Sequence, residues 1–228
     1  MIYDISLGPL SDEEEKVRQY LKEKQFKRVL DVGGAQRPWA RPYVTHYLDL
    51  ISPYDWARRY PEMLKFEGFW EKNFIKQGLN LRFVKENSKP KNMFDFVICS
   101  QTLEHVENPE LFLSGLSMIG FHGFISIPHK LFELKKGIHW GQPFRGSLPH
   151  RWISVIRNET LVMLPKLNFI DCIDFSFDKE DKPIPDLSFW WKDKIPCNII
   201  DDSHIDFPDP QEAMRFYKEY LDNNNPLG

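Results

Sequence analysis

Phe94-Asp95-Phe96-Val97-Ile98-Cys99-Ser100-Gln101-Thr102-Leu103-Glu104-His105-Val106-Glu107-Asn108-Pro109 decides the fold. Phe94 to Cys99 is an apolar run of strand length that stops at polar residues, as a buried parallel strand does. Asn108 can cap a helix and Pro109 suits its first turn. Phe112, Leu113, Leu116 and Ile119 then recur on one helical face. Gly123 to Pro128 is a further strand, stopped by proline. Strand, helix and strand at this spacing predict a parallel pair joined by a right-handed crossover.

The same alternation extends towards the N-terminus. Ser11 and Glu14 form a capping-box pair, and Val17, Tyr20 and Leu21 follow at helical spacing, which predicts a helix from about Asp12 to Lys24. Lys27 to Val32 reads as the first strand, ending in Gly33-Gly34, and Thr45 to Leu48 as a second, ending on Asp49. Leu81 to Val84 reads as a third strand, and Ile51 to Gly78, rich in aromatic and charged residues, as one or two irregular helices. Past Pro128 the period is lost. Residues 129–152 contain Gly137, Gly141, Pro143, Gly146 and Pro149 and read as a long loop. Trp152 to Ile156 and Phe169 to Phe177 are candidates for the last strands, and Asp209-Pro210 opens a C-terminal helix through Phe216, Tyr217, Tyr220 and Leu221. The fold class is α/β, a doubly wound, mostly parallel sheet in a single domain over 1–228.

Composition narrows the function classes. No apolar run approaches the roughly 18 residues of a membrane helix, and the acidic start MIYDISLGPLSDEEE is unlike a secretory signal, so a cytoplasmic protein is expected. Cys99, Cys172 and Cys197 have no paired spacing, which argues against a disulfide framework and a four-ligand zinc site. A net charge of −3 gives no general attraction to nucleic acid. Seven Trp in a chain that is 14% aromatic can line a cleft or fill a core.

The chemistry-bearing residues gather at predicted strand ends. Asp31, Gly33 and Gly34 stand at the carboxyl end of the first strand, where ligands bind in open α/β sheets. Gln36, Arg37 and Pro38 break the dinucleotide spacing G-x-G-x-x-G, which argues against a nicotinamide or flavin enzyme. Asp49, 18 residues after Asp31, can accept both hydroxyls of a ribose. Each has a structural alternative: the glycines as a plain turn, Asp49 as a helix cap, and Glu104 and His105 as residues that hold their loop.

Taken together, the glycine turn, Asp49 in register and Leu103-Glu104-His105-Val106 after the fourth strand resemble the class I S-adenosylmethionine-dependent methyltransferases over about Arg28 to Pro128. The resemblance implies a Rossmann-like sheet with an antiparallel last strand, a cofactor-binding core over 28–128 between an N-terminal helix (1–27) and an acceptor loop (129–152), and C-terminal strands and helix (153–228). It implies S-adenosyl-L-methionine as cofactor. Asp31, Gly33, Gly34 and Ala35 would lie by its amino-acid moiety, Asp49 at its ribose and Leu50 beside its adenine. Glu86 and Asn87 stand where the family often has an adenine-binding Asp, and Ser100, Gln101, Leu103 and His105 would complete the cofactor site. Ala35 replaces a third glycine of the family turn.

Gly123 to Pro128 with Glu133, and later His150-Arg151-Trp152, resemble the subgroup associated with surface polysaccharides and sugar modification. O-methylation of a sugar or glycan precursor is therefore the leading expectation, with another small molecule, a nitrogen acceptor or a non-catalytic binding module as alternatives. An alcohol acceptor must lose a proton, and His129, His150 or Glu133 is the candidate base. Arg145 and Arg151 can clamp a phosphate, with Trp152 alongside as a substrate contact. No HExxH, facial triad or CxxC predicts a required metal. The expected partner is a small-molecule or glycan acceptor, with a homodimer left open.

Overall fold

The protein is described from a computed structural model, which gives residues 10–34, 38–49, 73–76, 93–137, 144–175, 184–200 and 210–222. Its contacts gather into two compact units. One comprises Met1–Leu103, Asn108–Ser126 and Ser188–Ile195, and the other Glu104–Glu107, Ile127–Leu187 and Pro196–Gly228.

The first unit opens with helix α1, Asp12–Lys24. Its start is fixed by the capping box: Ser11 Oγ accepts from Glu14 N–H at 3.2 Å, and Ser11 N–H donates to Glu14 Oε2 at 2.9 Å. Strands β1 (Val29–Val32), β2 (His46–Asp49), β3 (Asn73–Lys76), β4 (Phe96–Ser100) and β5 (His122–Ile127) follow, with helix α2 (Pro109–Ile119) between the last two. The sheet runs β3-β2-β1-β4-β5 and is completed by a strand over Leu187–Lys192. The first five strands pair in parallel throughout. The last runs the other way, because Asp193 N–H donates to Phe121 O while Trp190 meets the ring of Phe124, so numbers rise on one strand as they fall on the other. This is the expected mixed sheet.

Period-2 alternation assigns each face its cover. Val29, Tyr47, Phe96, Ile98 and Phe124 pack with Val17 and Leu21 of α1. Leu30, Val32, Val97 and Cys99 point to the opposite face and are also buried. Gly120, which ends α2, lies so near Val97 that a built Cβ would stand 2.5 Å from its Cγ2. Helices on both faces make the sheet doubly wound. Asn108 caps α2 by accepting from Leu111 N–H at 2.9 Å, as its sequence predicts.

In the second unit, helix α3 (Lys130–Leu134) precedes strands β6 (Trp152–Arg157) and β7 (Thr160–Pro165). These pair antiparallel with Trp152 opposite Pro165, and β7 pairs in parallel with a short strand over Cys197–Ile199. Numbered in chain order, Leu187–Lys192 is β8, Cys197–Ile199 is β9 and the C-terminal helix, Pro210–Asp222, is α4. Tyr217 and Leu221 of α4 close a core with Ile153, Val155, Val162, Leu164, Ile170 and Phe175.

Three expectations change. Asn73–Lys76 is a strand within the stretch read as irregular helices, and Leu81 to Val84 lies outside the described residues. Asn168–Cys172 is a 3-10 helix where a strand was read from Phe169 onward, and Thr160–Pro165 is the strand instead. The β6–β7 turn, Asn158-Glu159, has φ values of 46° and 59°, the positive pair of a two-residue hairpin, without the usual glycine. Lys130–Leu134 is helical inside the predicted loop because His129 caps it, its Nδ1 accepting from Leu131 N–H at 3.1 Å. Among the described residues no helix is long and apolar enough to cross a membrane, and the three cysteines are free.

Candidate active site

Strand order places the first group. The chain leaves β1 for β2 and β3 on one side and returns to β4 on the other, so a crevice opens at their carboxyl ends. The ends are level: Val32 is opposite Leu48 and Cys99, and Ser100 is opposite Ser126. Gly33 turns out of β1 with φ of 75°, a conformation that favours glycine, and its N–H donates to Leu48 O at 2.8 Å. A Cβ on Gly33 would lie 2.0 Å from Thr102 Oγ1. Thr102 donates to Val32 O at 3.2 Å and Ser100 O at 3.0 Å, tying the two strand ends together. Gln101 sits at φ of 51°, and its N–H donates to Ser126 O at 2.8 Å.

Two carboxylates flank this turn. Asp31 is fully buried, neither oxygen has a hydrogen-bond partner, and a Cβ on Gly34 would stand 2.1 Å from Oδ2. Burial, and secondarily the charge of Asp49, push its carboxyl up to about 8. Asp49, 7% exposed, ends β2. The neighbouring Tyr47 phenol is also pushed up, by burial first and then by Asp31.

The second unit assembles another group. The β6–β7 hairpin register continues outward, with Arg151 N–H donating to Glu104 O at 2.7 Å and Lys166 N–H to Arg151 O at 2.7 Å. This brings His150 and Lys166 to Glu133 of α3. Glu133 Oε1 lies 2.5 Å from His150 Nδ1, and Lys166 Nζ donates to Oε2 at 2.9 Å. Gly146, at φ of 59°, backs the same carboxylate; a Cβ there would meet Oε2 at 2.6 Å.

His105 and His150 meet edge to face with ring centroids 4.6 Å apart, and His105 Nδ1 lies 3.3 Å from Pro149 O. Burial and then the neighbouring His150 lower the His105 imidazole. Glu104 is 1% exposed and neither carboxylate oxygen has a hydrogen-bond partner, the nearer standing 3.8 Å from His105 Nε2. Burial pushes it up to about 8, against its own backbone N–H.

Comparison with known proteins decides what scaffold carries these groups. The family profile described as a methyltransferase domain matches residues 11–163. The chain belongs to that methyltransferase family. No curated protein sequence matches it. Among solved structures it is similar to the methyltransferase domain of a bacterial Hen1, CtHen1, at 14% identity and TM-score 0.38, covering 53% of this chain and 67% of that one. It is also similar to the N-terminal domain of EvdMO1 with S-adenosylhomocysteine bound, at 17% identity and TM-score 0.38, covering 53% and 51%. A methyltransferase-like protein from Bacillus halodurans gives 16%, 0.38, 52% and 52%. The chain thus spans between half and two thirds of the length of these structures.

Within this methyltransferase domain, Asp31, Gly33, Gly34, Asp49, Ser100 and Gln101 stand along the carboxyl edge of the sheet, while Ala35, Leu50, Glu86 and Asn87 lie outside the described residues. Leu103 is fully buried. His150, Glu133 and His105 come together. His129 is 7% exposed and its ring caps α3. Arg145 is corrected from a phosphate clamp to a structural tie, since it is 1% exposed, its guanidinium donates to Leu134 O and Ile173 O, and it lies 5.0 Å over the Phe175 ring. Trp152 is likewise buried and donates to Val106 O at 2.8 Å, which makes it packing. Arg151 is exposed. Sequence reading missed Thr102 and Lys166. Only the threonine had a local signal, a small hydroxyl two residues beyond the fourth strand.

Proposed function

We propose that the protein transfers a methyl group from S-adenosylmethionine to a hydroxyl of a small molecule, with a sugar or glycan precursor as the leading acceptor class. The observation that carries the cofactor reading is Asp31, a buried carboxylate without a hydrogen-bond partner, beside two glycines against which Thr102 and Asp31 itself pack closely, and one strand from Asp49. These residues fit the cofactor. Its ammonium is the kind of group that would satisfy Asp31, and its ribose hydroxyls suit Asp49. When bound, the sulfonium supplies an activated methyl group; the protein's part is to hold and orient it and to exclude water.

The acceptor reading rests on the second unit. Glu133 accepts from His150 Nδ1, which leaves the Nε2 lone pair of His150 as a proton acceptor for an alcohol. Exposed Arg151 next to it suits an anionic acceptor such as a sugar phosphate. Calorimetric titration with S-adenosylhomocysteine tests the cofactor, and release of that product in the presence of sugar, sugar-phosphate and nucleotide-sugar panels tests the acceptor. Absence of S-adenosylhomocysteine binding at millimolar concentration would sink the enzyme reading in favour of a binding module.

A further inference from the structure

We propose that Glu104, His105 and His150 bind a divalent transition-metal ion through one carboxylate oxygen and two imidazole Nε2 atoms. The residues stand ready as a set. One ligand atom from each lies within 4.8 Å of the other two, and a closing shift of about an ångström brings three atoms to the spacing around an ion with bonds of about 2.0–2.2 Å.

Protonation is fixed by the partners of the other ring nitrogens. A carbonyl can only accept, so the His105 Nδ1 facing Pro149 O carries the proton and Nε2 keeps its lone pair. Glu133, held on its other oxygen by Lys166, accepts from His150 Nδ1, so the neutral ring presents its lone pair at Nε2 as well. Carboxylate or carbonyl behind a histidine, lone pair in front, is the arrangement that orients metal-bound imidazoles.

The third ligand supplies the independent observation. Glu104 is buried with both oxygens lacking a hydrogen-bond donor, and its Oε1 stands 3.8 Å from the Nε2 of His105, itself an acceptor. With the Glu104 carboxylate ionised, three acceptors face one another without a cation. A bound cation would satisfy all three, and a buried carboxylate without one is costly. Two imidazoles and one carboxylate favour zinc, iron or manganese over magnesium or calcium. Three protein ligands leave positions open, and the His105 side chain is 35% exposed, so a small ligand can reach the ion from solvent.

The sequence offered no sign of this site, because His150 follows His105 by 45 residues and no motif joins them. The role of the ion, though not its binding, rests on the proposed function: an acceptor hydroxyl in an open position becomes more acidic and releases its proton to solvent. His150 would then serve as a ligand in place of acting as the base.

The test uses the full chain stripped with chelator and dialysed. Mn²⁺ is titrated and followed by the loss of the free-ion electron paramagnetic resonance signal, and Zn²⁺ is followed by equilibrium dialysis with elemental analysis. One ion per chain is expected, lost in Glu104→Gln, His105→Asn and His150→Ala and kept in Glu107→Gln and Cys172→Ser. Glu133→Gln, which acts through His150, should weaken binding about 10- to 100-fold. Circular dichroism confirms folding, and the near-isosteric Glu104→Gln and the half-exposed His105 position keep the test decisive if His150→Ala fails to fold. Uptake of neither ion by the folded parent, or uptake unchanged by the three ligand substitutions, overturns the proposal. S-adenosylhomocysteine titrations of the parent, Glu104→Gln and His150→Ala samples read the methyl-donor assignment separately, since that assignment rests on Asp31 and Asp49.

Discussion

The hydroxyl of Thr102 fills the space that a side chain on Gly33 would need, 2.0 Å from the position of a built Cβ. One residue follows β1 and the other β4, so the contact closes the base of the crevice between them. Gly33→Ala therefore carries two costs: about 1–2 kcal/mol for a Cβ at positive φ and about 1–3 kcal/mol for the clash. For a chain of this size each kcal/mol lowers Tm by about 2–4 °C. The double variant Gly33→Ala/Thr102→Ala should recover the clash part only. Thermal melts of the four proteins check this, and equal Tm for parent and Gly33→Ala would show that the turn tolerates a side chain.

Asp49→Ala should weaken S-adenosylhomocysteine binding about 10- to 150-fold, the equivalent of roughly 1.5–3 kcal/mol for hydrogen bonds to a charged group. The residue is the last of β2 and stands outside the apolar core cluster of the first unit, so the fold should survive. Titration calorimetry measures the ratio. An unchanged dissociation constant removes Asp49 from the site.

Asp31 gives stability a pH dependence of defined sign. Its carboxyl is pushed up to about 8 in the folded protein from 3.8, so between these values the native state holds a proton that the unfolded chain has released. Stability is then greatest at the acidic end and falls as pH rises, with a slope of up to about 1.4 kcal/mol per pH unit from this group. Asp49, Tyr47 and Arg41 are the ionisable neighbours in this network. Asp31→Asn should flatten that part of the slope and be more stable than the parent near pH 8. Urea melts at intervals from pH 5 to 8 resolve the difference, and parallel curves for the two proteins would contradict it.

How much of this was legible depends on whether a signal was local. Ser11 with Glu14, and Asn108 with Pro109, set helix starts through contacts three residues away, and the structure has both. Asp31, Gly33 and Asp49 were readable because in a parallel sheet each strand end adds its residue to the same edge. The hairpin at Asn158-Glu159 was missed because its positive φ values fall on residues other than glycine. Phe169, Ile170 and Ile173 look like a strand, yet Ile170 and Ile173 enter the second core from a 3-10 turn and its exit. The cluster of Glu104, Glu133, His150 and Lys166 spans 62 residues, and the pairing of β6 with β7 brings its last two members together. No short window contains that information.

On the acceptor side His150 and Glu133 form a hydrogen-bonded pair, whereas the ring of His129 caps α3. His129 is buried and its ring nitrogen accepts from Leu131 N–H, a duty that asparagine can perform at a helix start. His129→Asn should therefore keep turnover within about twofold, measured with whichever acceptor the panel identifies. His150→Ala should lower kcat by about 10²-fold or more while S-adenosylhomocysteine binds as before. Glu133→Gln keeps an acceptor for His150 Nδ1 but removes the charge that Lys166 pairs with, so the ring stays oriented less firmly. An intermediate loss, mainly in kcat, is expected, with the pH–rate profile displaced relative to the parent. A purely structural role for Glu133 would lower Tm and leave that profile in place. Should His129→Asn fall as far as His150→Ala at unchanged Tm, the reactive histidine is the cap of α3 and the pair at Glu133 is a scaffold.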